Sequence, residues 1–203
     1  MTTVADLVDL FESEAASDRP SEETPDVGVI MGSDSDLDVM AGAHDALTDL
    51  GFTEVTDYDD APSGYTFESW VVSAHRTPDL MYAYAETAVD RGLDVVIAGA
   101  GGKSADLPNM TASLAYPVPV VGVPVQEKSV DSVIGMPTGA PLTAVDAGKS
   151  YNAGLSAAQF LATDDPELAD RLRDLHADRR DGVADVSSAL HTRGTERFRT
   201  DRD

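Results

Sequence analysis

The stretch VGVIMGSDSDLDVM, Val27 to Met40, decides how this chain is read. Its first five residues are an apolar, β-branched run that ends in a turn, the pattern of a strand buried on both faces. From Leu37 onward the apolar residues return at helical spacing. Gly32 and Ser33 make the turn between them. A strand, a Gly-Ser turn and a helix in succession are a natural anion site, because backbone N–H groups at a helix start point outward. Yet this turn carries Asp34, Asp36 and Asp38. So much negative charge raises the question of a metal. The three aspartates match the opening of a calcium loop. However, the glycine that such a loop needs falls at Val39, and its twelfth position is Asp45. No metal site is expected.

Outward from this unit the pattern repeats. A helix is predicted over Leu37–Leu50, ending at Gly51. SWVVSA (69–74) reads as a second strand, followed by a helix from Pro78 to about Arg91, closed by Gly92. DVVIAGA (94–100) is a third strand, and Leu107–Leu114 a helix. VPVVGVPV (118–125) is a fourth strand, interrupted by prolines. PLTAV (141–145) is a candidate fifth, and Tyr151–Ala162 is Ala-rich and helical. Strands alternating with helices imply a mainly parallel sheet with helices on both faces. Three regions follow. Residues 1–24 are an acidic extension with one short helix over Val4–Phe11. Residues 25–163 form the main domain. Residues 164–203 hold an amphipathic helix, marked by Leu168, Leu172 and Leu175, that packs on its own subunit or on a neighbour, and a mobile tail after Arg193. The polar segment Thr53–Gly64 reads as a surface loop. No internal repeat is present.

Composition narrows the function classes. The chain has 203 residues, enough for one well-cored domain, and 42% of them are hydrophobic. With no cysteine, thiolate catalysis and disulfides are excluded. Fourteen basic residues face 37 acidic ones, for a net charge of -23, so no basic face for nucleic acid can be assembled. Only three lysines occur, Lys103, Lys128 and Lys149. Many aspartates with few lysines suggest a protein kept soluble in concentrated salt. No apolar run reaches the roughly 20 residues of a membrane span. The first residues lack a basic start and an apolar centre, so no secretory leader is read and the cytoplasm is the default location.

Two glycine motifs mislead. GGKS (101–104) resembles the end of a P-loop, but the leading glycine would be Ile97. GAGGKS (99–104) fails as a dinucleotide fingerprint because its third position is Ser104.

Three stretches carry chemistry, and each sits where ligands bind in open parallel sheets, beyond the carboxyl end of a strand. In MGSDSD, Ser33 and Ser35 supply hydroxyl donors, and Asp36 suits neutral hydroxyls such as those of a ribose. Simple helix capping would explain one such residue less awkwardly than the whole run. In SAHRTP (73–78), Arg76 is a planar, permanently charged donor suited to phosphate. His75 is the one histidine at a strand end. Most lone histidines are structural, but one between Ser73 and Arg76 at the rim of a sheet is suited to acid–base work near neutral pH. In IAGAGGKSADLPNM (97–110), Gly99, Gly101 and Gly102 let the backbone approach a flat ligand. The candidate ligand-binding residues on these stretches are Gly32, Ser33, Ser35, Asp36, Ser73, Ala74, Arg76, Gly99, Ala100, Gly101, Gly102 and Leu107, with His75 as the catalytic candidate.

MGSDSD, SAHRTP, AGAGG with LPNM, PVVGVPV, MPTGAP and NAGLSAAQFLA occur in the order seen in the 5-(carboxyamino)imidazole ribonucleotide mutases, the PurE-type enzymes of purine synthesis in the AIR carboxylase family. The resemblance covers about Val27 to Ala162. It implies a three-layer α/β/α, flavodoxin-like fold and a homo-octamer whose C-terminal helix reaches a neighbouring subunit. It implies no cofactor, a small ribonucleotide substrate and carbon dioxide as a trapped intermediate. It implies that Ser33, Asp36 and Arg76 hold the ribonucleotide and that His75 is the acid–base. One departure stands out. The family pattern brings a histidine just before LPG, where this chain has KSAD and then LPN. Lys103-Ser104 is faintly similar to the Gly-Arg-Ser run of the related carboxylases that use free carbon dioxide, so direct carboxylation is the runner-up. A non-catalytic nucleotide-binding module of the same fold is a third possibility, separated from the others by the effect of removing His75.

Overall fold

The computed structural model describes residues 1–17, 19–20 and 23–200. Parts of the N-terminal extension, and the last three residues of the tail, lie outside the described residues. The central sheet has six strands: β1 (Val27–Met31), β2 (Thr53–Glu54), β3 (Thr66–Val71), β4 (Val95–Ala100), β5 (Val120–Pro124) and β6 (Thr143–Ala144). Every pairing is parallel, in the order β2-β3-β1-β4-β5-β6. With the two-residue edge strand β2 set aside, this is the flavodoxin-like winding, and its switch point lies between β1 and β4. β1 is central and wholly buried, as its continuous apolar run requires.

Helices cover both faces. On one lie α1 (Val4–Ala15), α3 (Pro78–Glu86), α4 (Leu107–Leu114) and the short α5 (Val130–Ile134). On the other lie α2 (Leu37–Asp49), α6 (Ser150–Leu161) and the first turns of α7 (Pro166–Arg193). α2 and α6 pack closely where Gly154 meets Ala43 and Ala46: a Cβ on Gly154 would lie 2.7 Å from the Ala46 Cβ and 2.8 Å from the Ala43 carbonyl oxygen. Gly99 serves the same layer: a Cβ there would lie 2.1 Å from the Met40 sulfur on α2.

Several expectations shift. The second strand, read as 69–74, runs over Thr66–Val71, three residues earlier. Its opening is masked by Glu68, which the apolar pattern treats as solvent-facing but which is 1% exposed. Glu68 accepts from Arg91 Nη1 at 2.7 Å and from the Tyr84 hydroxyl at 2.8 Å, so its charge is buried with partners. Tyr58 donates to its other oxygen. The segment read as a loop over Thr53–Gly64 therefore contributes β2, paired with β3 through backbone groups alone, and a side chain to the core network. α3 stops at Glu86, and turns carry the chain on to Gly92. The tail after Arg193 carries α8 (Thr195–Thr200). Leu168 is buried, whereas Val183, Val186 and Leu190 on the same helix are exposed. No helix among the described residues is long and apolar enough to cross a membrane.

Candidate active site

Three loops at the carboxyl ends of β1, β3 and β4 converge over the switch point and enclose a cleft of about 520 Å³. The first is Gly32–Asp36. Its Gly32 N–H donates to the Gly99 carbonyl at 3.1 Å, which fastens the loop to β4. Ser33 caps the single 3-10 turn Asp34–Asp36 that precedes α2. The three aspartates then separate. Asp36 is buried in the cleft, 7% exposed, while Asp34 and Asp38 face solvent. The run does not gather its carboxylates on one point. Among the described residues no group of three or more acidic or histidine side chains could hold a metal ion.

The Asp36 carboxylate lies across the switch point, and a Cβ on Gly101 would stand 3.1 Å from its Oδ1. Burial raises its pKa above the ordinary carboxylate range. The Ser33 backbone N–H and the charge of Arg76 pull the other way. It is an acceptor set behind a glycine backbone, a fit for neutral hydroxyls.

The second loop, Ser73–Thr77, is held by its own side chains. The Ser73 N–H donates to Thr77 Oγ1 at 3.0 Å, and Pro78 starts α3. Arg76 folds back over the first loop. Its Nη2 donates to the Gly32 carbonyl at 2.8 Å and its Nε to Ser73 Oγ at 3.4 Å. The guanidinium thus lies beside Ser73, and Ser33 and Ser35 line the same cleft. This cluster of a fixed cation and hydroxyls is suited to an anion. His75 stands on the same loop, with its ring 60% exposed.

The third loop follows β4. Gly102 adopts φ +85, a conformation open to glycine and strained for other residues, and with Gly101 it lays bare backbone along the cleft. Ala74, Ala100 and Leu107 complete the lining. Of the thirteen candidate residues twelve line this cleft. Gly99 does not, because it faces Met40 within the sheet.

Four lining residues were not among the candidates: Ser104, Asp106, Gln126 and Lys128. Asp106 stands just before Leu107, where the family pattern brings a histidine, and its Oδ2 is 2.9 Å from His75 Nε2. Departure from the family pattern was the available signal. Gln126 and Lys128 follow β5, the next strand along the sheet. Their position at a strand end was legible, but nothing in VPVQEKS announces a site.

Residues 26–181 match the family model for AIR carboxylase. The chain belongs to that family. It is 45% identical over 176 residues to the N5-carboxyaminoimidazole ribonucleotide mutase of Mycobacterium tuberculosis (strain CDC 1551 / Oshkosh), covering 84% of this chain and 90% of that protein. It is 37% identical over 200 residues to the chloroplastic phosphoribosylaminoimidazole carboxylase of Vigna aconitifolia, covering 96% of this chain and 33% of that longer protein. Its fold is similar to the crystal structure of Treponema denticola PurE, with a TM-score of 0.65 at 22% identity, over 81% of this chain and 97% of the other.

Proposed function

We propose that this chain is a purine-biosynthetic mutase that converts N5-carboxyaminoimidazole ribonucleotide to 4-carboxy-5-aminoimidazole ribonucleotide. The observation that carries the reading is the convergence of Asp36, His75, Arg76 and the Gly101–Gly102 backbone on one cleft at the switch point. The phosphate takes Arg76, the serine hydroxyls and backbone donors. The ribose hydroxyls donate to Asp36. The imidazole lies against Gly101 and Gly102, whose missing side chains leave room for a flat ring.

His75 carries the proton. As an imidazolium it protonates the exocyclic nitrogen, and the N–C bond breaks to release carbon dioxide. The neutral aminoimidazole that remains is an enamine-like nucleophile, and its ring carbon attacks the trapped carbon dioxide. The neutral His75 ring then removes the proton from that carbon, restoring aromaticity and its own starting state. One group gives the first proton and takes the last. Carbon dioxide has to stay beside the ring for the second step, and the bound nucleotide confines it there. The homo-octamer that the resemblance implies, with α7 reaching a neighbouring subunit, is the working form in this reading.

Direct carboxylation of 5-aminoimidazole ribonucleotide is the second reading. The similarity to the Vigna carboxylase and the Lys103-Ser104 pair favour it. The deciding experiment supplies the carbamate, and separately the amine with bicarbonate, to purified protein in strong salt. Rapid carboxyimidazole formation from the carbamate alone is expected. Formation from the amine and bicarbonate at an equal or greater rate overturns the mutase in favour of the carboxylase.

A further inference from the structure

We infer that Asp106 is a positioning residue for His75, and that it makes Nδ1 the nitrogen through which the proton moves. The inference rests on the mutase reading for what His75 does, and on geometry for how it is held. A carboxylate accepts hydrogen bonds and does not donate when ionised. With Asp106 Oδ2 at 2.9 Å, Nε2 carries its hydrogen toward the carboxylate in both the neutral and the charged ring. The lone pair of the neutral ring is therefore on Nδ1. The carboxylate is itself held. Ser132 Oγ on α5 donates to Asp106 Oδ1 at 3.3 Å, and Asp106 precedes the first turn of α4. Three elements thus meet at one carboxylate: the loop after β3, the start of α4, and α5. The other charged side chains lining the cleft with His75 are Asp36, Arg76 and Lys128. Asp106 is the carboxylate paired with the ring.

The consequence is an unusual order of variants. In Asp106→Asn the amide can donate to Nε2. That stabilises the opposite tautomer, with hydrogen on Nδ1 and no lone pair there to accept a proton. Asp106→Ala removes the partner and leaves the ring free to choose. Turnover should fall in the order wild type, Asp106→Glu, Asp106→Ala, Asp106→Asn. The Asn variant should lose roughly 10- to 100-fold in kcat, less than for a fully buried triad because water competes at a half-exposed pair, with little change in KM. A role confined to shaping the start of α4 gives the reverse order, since Asn caps helices well and Ala does not.

The test joins these kinetics to 15N NMR of the His75 ring in the full-length protein. A switch from the Nε2–H to the Nδ1–H tautomer in Asp106→Asn is expected. An unchanged tautomer, or an Ala variant slower than the Asn variant, overturns the inference while leaving the mutase reading intact. Wild-type protein that does not turn over the carbamate, together with the tautomer switch in Asp106→Asn, defeats the mutase reading and leaves the pairing standing.

Discussion

At the scale of single residues, glycine backbone leaves room for Asp36 and Arg76 to share one cleft. Asp36 sits behind Gly101 while Arg76 reaches over Gly32. His75 lies on the same loop as Arg76, so the proposed proton carrier stands next to the proposed anion-holding group. His75→Asn should leave ribonucleotide binding within a few-fold, measured by calorimetry, and reduce kcat by about 100- to 10,000-fold. Unchanged turnover removes His75 from the chemistry. A second residue far from the cleft makes a pH prediction. Asp26, at the amino end of β1, accepts from the Thr66 N–H at 2.6 Å. Burial, and secondarily the charge of Asp94, push its pKa up to about 6, although the hydrogen bonds from Thr66 oppose the shift. A carboxyl raised in the folded state binds its proton more tightly there than when unfolded. Its contribution to stability is therefore full below about pH 4 and is lost as pH rises to about 6. Asp26→Asn keeps an acceptor without the charge. It should stabilise the protein at pH 7 by on the order of 1 kcal/mol, after allowance for solvent screening, and by nothing near pH 4, in denaturant titrations at both values.

At the scale of elements, the N-terminal helix is the instructive case. α1 packs on α3, and its Phe11 is fully buried. The Phe11 ring meets Trp70 and Tyr84 edge-on at 5.1 and 5.2 Å, and the Arg91 guanidinium lies 4.8 Å from its centroid. Arg91 in turn neutralises Glu68. Burial, followed by the Glu68 charge, raises the phenol pKa values of Tyr58 and Tyr84, so both stay neutral and donate to that carboxylate. α1 thus roofs a buried ion pair and keeps water from it. Phe11→Ala should cost about 3–5 kcal/mol, read from the denaturation midpoint, because it opens a cavity beside a charge as well as removing apolar contact. A loss under 1 kcal/mol shows that α1 is dispensable to the core. The same network explains why the start of β3 was hidden. Strand patterns are recognised by apolar residues, and here the inward residue is a glutamate whose partner Arg91 lies 23 positions later. β2 was hidden for a different reason. A two-residue edge strand is held by backbone hydrogen bonds, which leave no trace in side-chain pattern.

At the scale of the whole molecule, charge dominates. Residues 176–203 hold six acidic and six basic side chains, so the entire excess of -23 lies on residues 1–175. Self-repulsion is thus concentrated on the α/β body, and screening should relieve it. The denaturation midpoint should rise as KCl goes from about 0.1 M, where charges interact over ~10 Å, to above 1 M, where the range is ~3 Å. Equal stability at both concentrations rules out salt dependence. The same scale shows what could be read in advance. Apolar periodicity, Gly and Pro punctuation and strand-end position determined the parallel α/β class, the placement of β1, β4, α4 and α6 to within a residue or two, and twelve cleft residues. These are local signals, set by which side chains can be buried and which backbone turns a residue permits. Tertiary structure alone decided that Asp36 turns inward while Asp34 and Asp38 face solvent, that Glu68 is buried beside Arg91, that Gly99 serves packing, and that Asp106 meets His75. Each of those depends on a partner brought near by the winding of the sheet, 23 to 65 positions away in the chain. A charge or a glycine has no fixed meaning until its neighbour across the fold is in place.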